Sequence, residues 1–119
     1  MAGVETLDFS SPDETRTPDK TRIDVVRVGG TTAARMTFEP GWKWSECVKP
    51  VVGTDSCQVR HVGVAQSGTL HIAHEDGAQA DIEAGNAYVI EPGHDAWVVG
   101  DEPFVGFEFE ARAAEEYAR

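Results

Sequence analysis

Between Ile23 and Glu110 the chain runs as a series of short β-like segments, each closed within a few residues by glycine or proline. Residues 23–28 stop at Gly29-Gly30, 33–39 at Pro40-Gly41, and 42–48 at Pro50 and Gly53. A segment over 57–65 closes at Ser67-Gly68, 69–75 and 78–83 flank Asp76-Gly77, and 87–90 precedes Pro92-Gly93. Residues 96–99 and 104–110 complete the series. Punctuation this dense excludes helices of ordinary length, and period-two alternation marks strands with two unlike faces. Asp-Gly between two such runs is a tight-hairpin signal. Over 42–48, Trp42, Trp44 and Glu46 alternate with Lys43, Ser45 and Cys47, which predicts a strand. Over 104–110, Val105, Phe107 and Phe109 share one face. The pattern predicts an all-β fold, an antiparallel sandwich or barrel. Only residues 111–119 read as a helix, and a short one.

The first 22 residues are rich in Ser, Thr, Pro and charge and predict an extended arm, so that residues 23–119 form the domain. Leu7 and Phe9 are the anchors available to that arm, on the barrel or on a second subunit. A chain of 119 residues makes one domain, and such a domain buries roughly two-thirds of its unfolded surface. With 21 acidic against 10 basic residues the net charge is −11. Such a surface repels phosphate backbones and anionic lipid, which argues against nucleic acid and membrane as partners. No apolar run approaches the roughly 18 residues that span a bilayer. The acidic, polar N-terminus lacks the basic and apolar regions of a secretion signal. The expected address is cytoplasmic, where cysteines serve as thiols or metal ligands rather than disulfides.

Chemistry-bearing residues concentrate in 41–68, which holds Cys47, Cys57, His61, Trp42 and Trp44. With His94 from the later strand, Cys47, Cys57 and His61 make a Cys2His2 set. Thiolate and imidazole together suit Zn2+ best and other thiophilic divalent ions less well. Asp55 and Glu46 are spare oxygen ligands, although alternation sets Glu46 opposite Cys47. Two readings stand beside this one. Cys47 and Cys57 could pack as small hydrophobes, or pair as a redox couple if their Cα atoms approach closely enough. His71 and His74 fall on opposite faces of one strand and cannot both point inward.

Two segments resemble the paired motifs of the cupin superfamily, small jelly-roll barrels built on a double-stranded β-helix. The segment from Gly85 to Ala96, GNAYVIEPGHDA, fits the second motif at Gly85 and Gly93, with Ala96 at its histidine position and His94 two residues earlier on the same face. In the first motif, counting from Gly41 places Cys47-Val48-Lys49 where the family has His-x-His. Counting back from Gly68 places His61 where it has Glu, with an insertion carrying Cys57 between. The resemblance implies a cupin jelly-roll barrel of antiparallel strands. It puts Cys47 and His61 at ligand-bearing positions on adjacent strands. None of the four ligand positions keeps the family's residue type, so the resemblance implies no particular activity.

The reading of the whole is a small cupin-domain protein that binds a divalent transition metal, zinc above others, through Cys47, Cys57, His61 and His94. It could act as an enzyme on a small polar metabolite. The alternative is a metal-free module that binds or senses a small ligand in a pocket lined by Trp44, Lys49, Tyr88 and Trp97, since aromatic walls are usual in such pockets. Lys49 could hold an anionic group there. A homodimer is expected in either case, because cupins commonly pair their sheets and the arm has few local partners.

Overall fold

In a computed structural model, residues 3–110 are described, and the predicted helix over 111–119 lies outside them. The strands are β1 (Glu14–Arg16), β2 (Thr21–Val28), β3 (Thr31–Phe38), β4 (His61–Ser67) and β5 (Thr69–His74). They continue with β6 (Gln79–Glu83), β7 (Ala87–Ile90), β8 (His94–Val99) and β9 (Phe104–Phe109). Two short helices, α1 (Trp44–Cys47) and α2 (Lys49–Val52), interrupt them. A six-stranded sheet in the order β1-β2-β3-β9-β4-β7 faces a three-stranded sheet in the order β6-β5-β8. Every pairing is antiparallel. The Asp76-Gly77 turn joins β5 to β6 as expected, with Gly77 at φ 94° and Ala73 opposite Gln79. Alternate residues of facing strands, among them Ile23, Met36, Phe38, Leu70, Ile72, Ala96, Val98 and Phe104, meet in one buried core between the sheets.

The arm is not free of its own domain. Its residues Glu14–Arg16 add β1 to the edge of β2. Thr15 Oγ1 donates to the buried Asp24 at 3.0 Å, and Arg22 and Arg35 each approach the same carboxylate at 3.0 Å. A buried carboxylate needs such partners to be tolerated at all. Farther out, the Phe9 ring lies 5.3 Å from that of Phe107. The expectation that the arm has few local partners is corrected accordingly.

Residues 42–48 do not form the predicted strand. Trp44, Cys47 and Val48 are buried while Glu46 is exposed, and that spacing of one, three and four is the helical period. Asp95 of β8 fixes the choice by accepting from the Ser45 N–H at 3.1 Å and from Ser45 Oγ at 2.8 Å. This gives the first turn of α1 an acceptor for an amide that the helix cannot satisfy itself. Pro50 stands in the first turn of α2, where its missing N–H costs nothing. Gly53 closes α2 in the left-handed region at φ 80°.

On β9 the face that looks hydrophobic is the outer one. Phe104, Gly106 and Glu108 point inward and are buried, whereas Val105 and Phe107 are half-buried and Phe109 is exposed.

Candidate metal centre

Three ligand-type side chains converge inside the barrel. Cys57 lies just before β4 and pairs with the first residue of β8: its N–H donates to the His94 carbonyl at 2.8 Å, and the Gly93 N–H donates back to Cys57 at 2.7 Å. That backbone pairing sets Cys57 beside His94. His61 opens β4 with its ring inward, and Cys57 Sγ lies 3.5 Å from His61 Nε2. The ligand atoms of Cys57, His61 and His94 all lie within 4.8 Å of one another, and all three residues are buried. Ligand atoms around a tetrahedral zinc stand roughly 3.3–3.8 Å apart, so a small inward movement would complete the set.

Both rings are held from behind. His61 Nδ1 lies 2.7 Å from Glu108 Oε1. His94 Nδ1 lies 2.7 Å from the Glu91 carbonyl oxygen, which can only accept, so Nδ1 carries the proton. In each ring Nε2 is left to face the thiol. Metal-binding histidines are characteristically fixed this way, with the far nitrogen donating to a carboxylate or a backbone carbonyl.

The row of residues across the six-stranded sheet explains why Glu108 can do this. Tyr88 on β7 is opposite Gly63 on β4, and Gly63 is opposite Glu108 on β9. With no side chain at Gly63, the Tyr88 hydroxyl reaches over β4 and donates to Glu108 Oε2 at 2.8 Å. A Cβ at Gly63 would stand 3.0 Å from that hydroxyl and 2.3 Å from the Phe107 carbonyl. A Cβ at Gly106 would come within 2.8 Å of the same hydroxyl. The two glycines form the slot that holds Tyr88, Tyr88 holds Glu108, and Glu108 holds His61.

Charge follows from that chain. Burial disfavours an imidazolium at His61, but the Glu108 carboxylate and the Cys57 sulfur outweigh it and raise the ring to about 10. Burial likewise raises the Cys57 thiol, yet the hydrogen bonds from His61 and His94 prevail and bring it down to about 6. Burial and the Glu108 charge push the Tyr88 phenol well above its ordinary range, so it stays a donor. Both shifts favour a thiolate at Cys57 beside an imidazolium at His61 in the metal-free site.

This pair predicts a particular pH profile. His61 contributes stability that is complete below its ordinary 6.5 and is lost as pH rises through about 10. Cys57 contributes stability that is complete above its ordinary 9.0 and is lost as pH falls through about 6. Between 6.5 and 9.0 the two slopes oppose each other. Urea midpoints in the presence of chelator are expected to stay level across that window for this protein and to fall steadily with rising pH for Cys57→Ala. A variant as level as the parent would contradict the pairing.

The other predicted site residues are placed elsewhere. Cys47, on α1, has its Sγ 3.9 Å from Asp19 Oδ2 and does not join the ligand group. It packs in the buried core instead. Both cysteines are free thiols. Glu46 is exposed. Asp55 is also exposed and pairs with Lys49 of α2 at 3.9 Å. Trp97 points away from His94 on β8; the Lys43 ammonium lies 5.1 Å from its ring centroid and the His71 ring 4.7 Å away. His71 also bonds Asp81 and Gln79, and His74 bonds the Pro92 carbonyl. The proposed pocket of Trp44, Lys49, Tyr88 and Trp97 is thus dispersed. Trp44 lines a small interior cavity of about 10 Å3 with His61, His94 and Glu108. Tyr88 lines an open cleft of about 690 Å3 between β6 and β7, and Lys49 and Trp97 line neither.

Trp42 and Trp44 are both buried but differ in one respect. Trp42 stacks on Phe38 at 3.9 Å and donates its Nε1–H to Thr21 Oγ1 at 2.8 Å. Trp44 Nε1, equally buried, has no hydrogen-bond partner among the described residues. A buried donor left in this state costs about 1–3 kcal/mol.

No family model matches the sequence, and no curated protein matches it. Solved structures do. A protein of unknown function from Rhizobium leguminosarum bv. viciae 3841 aligns with a TM-score of 0.64 at 15% identity, covering 91% of this chain and 96% of that one. A protein with a double-stranded β-helix domain from Klebsiella pneumoniae aligns with a TM-score of 0.59 at 15% identity, covering 90% and 84%. A cupin-like protein from Thermotoga maritima aligns with a TM-score of 0.51 at 16% identity, covering 75% and 66%. The fold is the cupin double-stranded β-helix. At these identities the likeness speaks for the fold alone.

Within this barrel His61, at the start of β4, and His94, on the face it shares with Ala96, join one buried cluster. Cys57 joins it from the segment just before β4. Glu108 and Tyr88 complete the support, and neither role was legible from residue spacing. The available signal was a lone carboxylate amid Phe107 and Phe109, in a strand with Gly106 beside it. Among the described residues no helix is long and apolar enough to cross a membrane.

Proposed function

We propose that this protein binds one divalent transition metal ion in the barrel through Cys57 Sγ, His61 Nε2 and His94 Nε2, with Zn2+ the best match to one thiolate and two imidazoles. The observation that carries the reading is the orientation of the two rings, each tied at Nδ1 to an acceptor so that both Nε2 atoms face one sulfur. A bound ion would supply Lewis acidity at whatever position the three side chains leave open. His61 must lose a proton to coordinate, so metal uptake would release one. A reducing, cytoplasmic setting suits the site, because Cys57 can donate only as a thiolate. Elemental analysis after purification from unsupplemented medium tests this. About one equivalent of metal is expected, and a correctly folded protein that stays metal-free when offered zinc would refute it.

The second reading, a metal-free module for a small ligand, draws on the cleft between β6 and β7. Its volume of about 690 Å3 falls in the usual range for ligand sites, and Ile72, Ile82, Ile90 and Tyr88 line it. Ligand binding there would survive chelation.

A homodimer belongs to the same proposal. On the outer face of the six-stranded sheet, Val62 and Val64 of β4 and Val89 of β7 stand together at 40%, 42% and 54% exposure. Pairing that face with a second copy would remove it from water. Light scattering is expected to give twice the chain mass, and a monomer mass would overturn the pairing.

A further inference from the structure

We infer that the cavity beside Trp44 holds one water molecule, which accepts from the Trp44 indole N–H and donates to the Glu108 carboxylate. Trp44 thereby becomes a positioning residue for His61. The inference needs no metal and stands apart from the metal reading.

Trp44 is 1% exposed, and its Nε1 is buried with no partner among the described residues. Two residues earlier, the buried Trp42 gives its own indole N–H to Thr21. Buried donors are so regularly paired that an exception calls for a partner. The cavity that Trp44 lines is also lined by His61, His94 and Glu108. Its volume of about 10 Å3 is close to that of one water-sized sphere, the room that a single buried water takes.

The polar groups around that space select the occupant. His61 and His94 spend Nδ1 on Glu108 and on the Glu91 carbonyl, and both belong to the ligand group with Cys57. Glu108 accepts one bond at each oxygen, from His61 and from Tyr88. An ionised carboxylate has about four acceptor sites. Trp44 thus has a donor to place, and Glu108 has acceptor capacity to spare, in the same space. The other walls, including Phe38, Leu70, Ile90 and Ala96, are apolar. A cation cannot accept from the indole, and an anion cannot donate to the carboxylate. Water does both, and two hydrogen bonds fall within the range of about 2–4 that buried waters make. A water bridge is nearly as favourable in enthalpy as a direct bond. Glu108 then has a third donor beside His61 and Tyr88, and α1 reaches the site through Trp44 although its Cys47 does not.

The test is a crystal structure of the full-length protein at a resolution that shows ordered water, with and without prior chelation. In both preparations one density peak is expected within hydrogen-bond reach of Trp44 Nε1 and a Glu108 oxygen. A dry cavity, or a Trp44 indole bonded directly to Glu108 or to another group, overturns the inference and leaves the metal reading untouched. The positioning role is read from the His61 Nδ1–H proton in 15N-labelled protein. Trp44→Phe removes the donor that holds the water, so Glu108 accepts more strongly from its remaining donors. That proton is therefore expected to move downfield. Leu70→Val, which alters an apolar wall of the same cavity, is expected to leave it in place. A His61 proton that ignores Trp44→Phe, or follows Leu70→Val equally, would show that Trp44 only packs there and would overturn its positioning role. The crystal structure decides alone if Trp44→Phe fails to fold.

Discussion

Alanine at Cys57, at His61 or at His94 is expected to weaken metal binding by about a hundredfold or more, while Cys47→Ala leaves it within about threefold. Structural zinc sites with four ligands bind with roughly 10–16 kcal/mol, or about 3 kcal/mol per ligand, and each 1.4 kcal/mol is tenfold. The contrast between the two cysteines is the informative part. Both are buried, both lie in the stretch rich in Trp and His, and a reading from spacing makes both ligands. Only Cys57 shares a site with the histidines, and Cys47 faces Asp19. Competition titration against a chromophoric chelator measures all four variants. If Cys47→Ala lost metal as Cys57→Ala does, the arrangement of α1 described above would be wrong.

The largest effect on stability is expected at Glu108. It is 5% exposed and accepts from His61 and Tyr88. Removing one member of a buried ion pair strands the other, at a cost of about 3–5 kcal/mol. Glu108→Ala should therefore lower the melting temperature by about 10 °C or more in metal-free protein. Tyr88→Phe removes one hydrogen bond and no charge, so about 1–2 kcal/mol is expected. Either change loosens His61, and a tenfold to hundredfold fall of roughly this kind in metal affinity should accompany it. Thermal denaturation with chelator, followed by metal titration, reads both quantities. A Glu108→Ala variant no less stable than Tyr88→Phe would show that the His61–Glu108 pair is not ionised.

Much of the architecture is local enough to be read in one dimension. A strand announces itself by alternation and ends where Gly or Pro stops pairing, so the runs from 23 to 39 and from 69 to 109 match observed strands closely. The Asp76-Gly77 hairpin needed only its two residues. The stretch 42–48 shows where local evidence divides: its alternation and its helical spacing coexist, and Asp95, from a distant strand, decides between them. On β9 the apolar triplet Val105, Phe107 and Phe109 suggests an inner face. Phe9 covers part of it from outside, and that leaves the interior to Phe104, Gly106 and Glu108.

The sequence by itself determined the strand-and-turn order, the resemblance to a cupin barrel, and the short list of residues able to hold a soft metal. Each of these depends on neighbours along the chain. Which members of that list meet was decided by tertiary structure, because the contacts join distant positions. Cys57 sits beside His94 through a backbone bridge between two loop ends, and His61 meets Glu108 across paired strands 47 residues apart. Such meetings depend on sheet order and register, and on two glycines that give a phenol room to cross a strand. No spacing along the chain encodes them, and only the folded barrel brings thiol, imidazoles and carboxylate into one buried site.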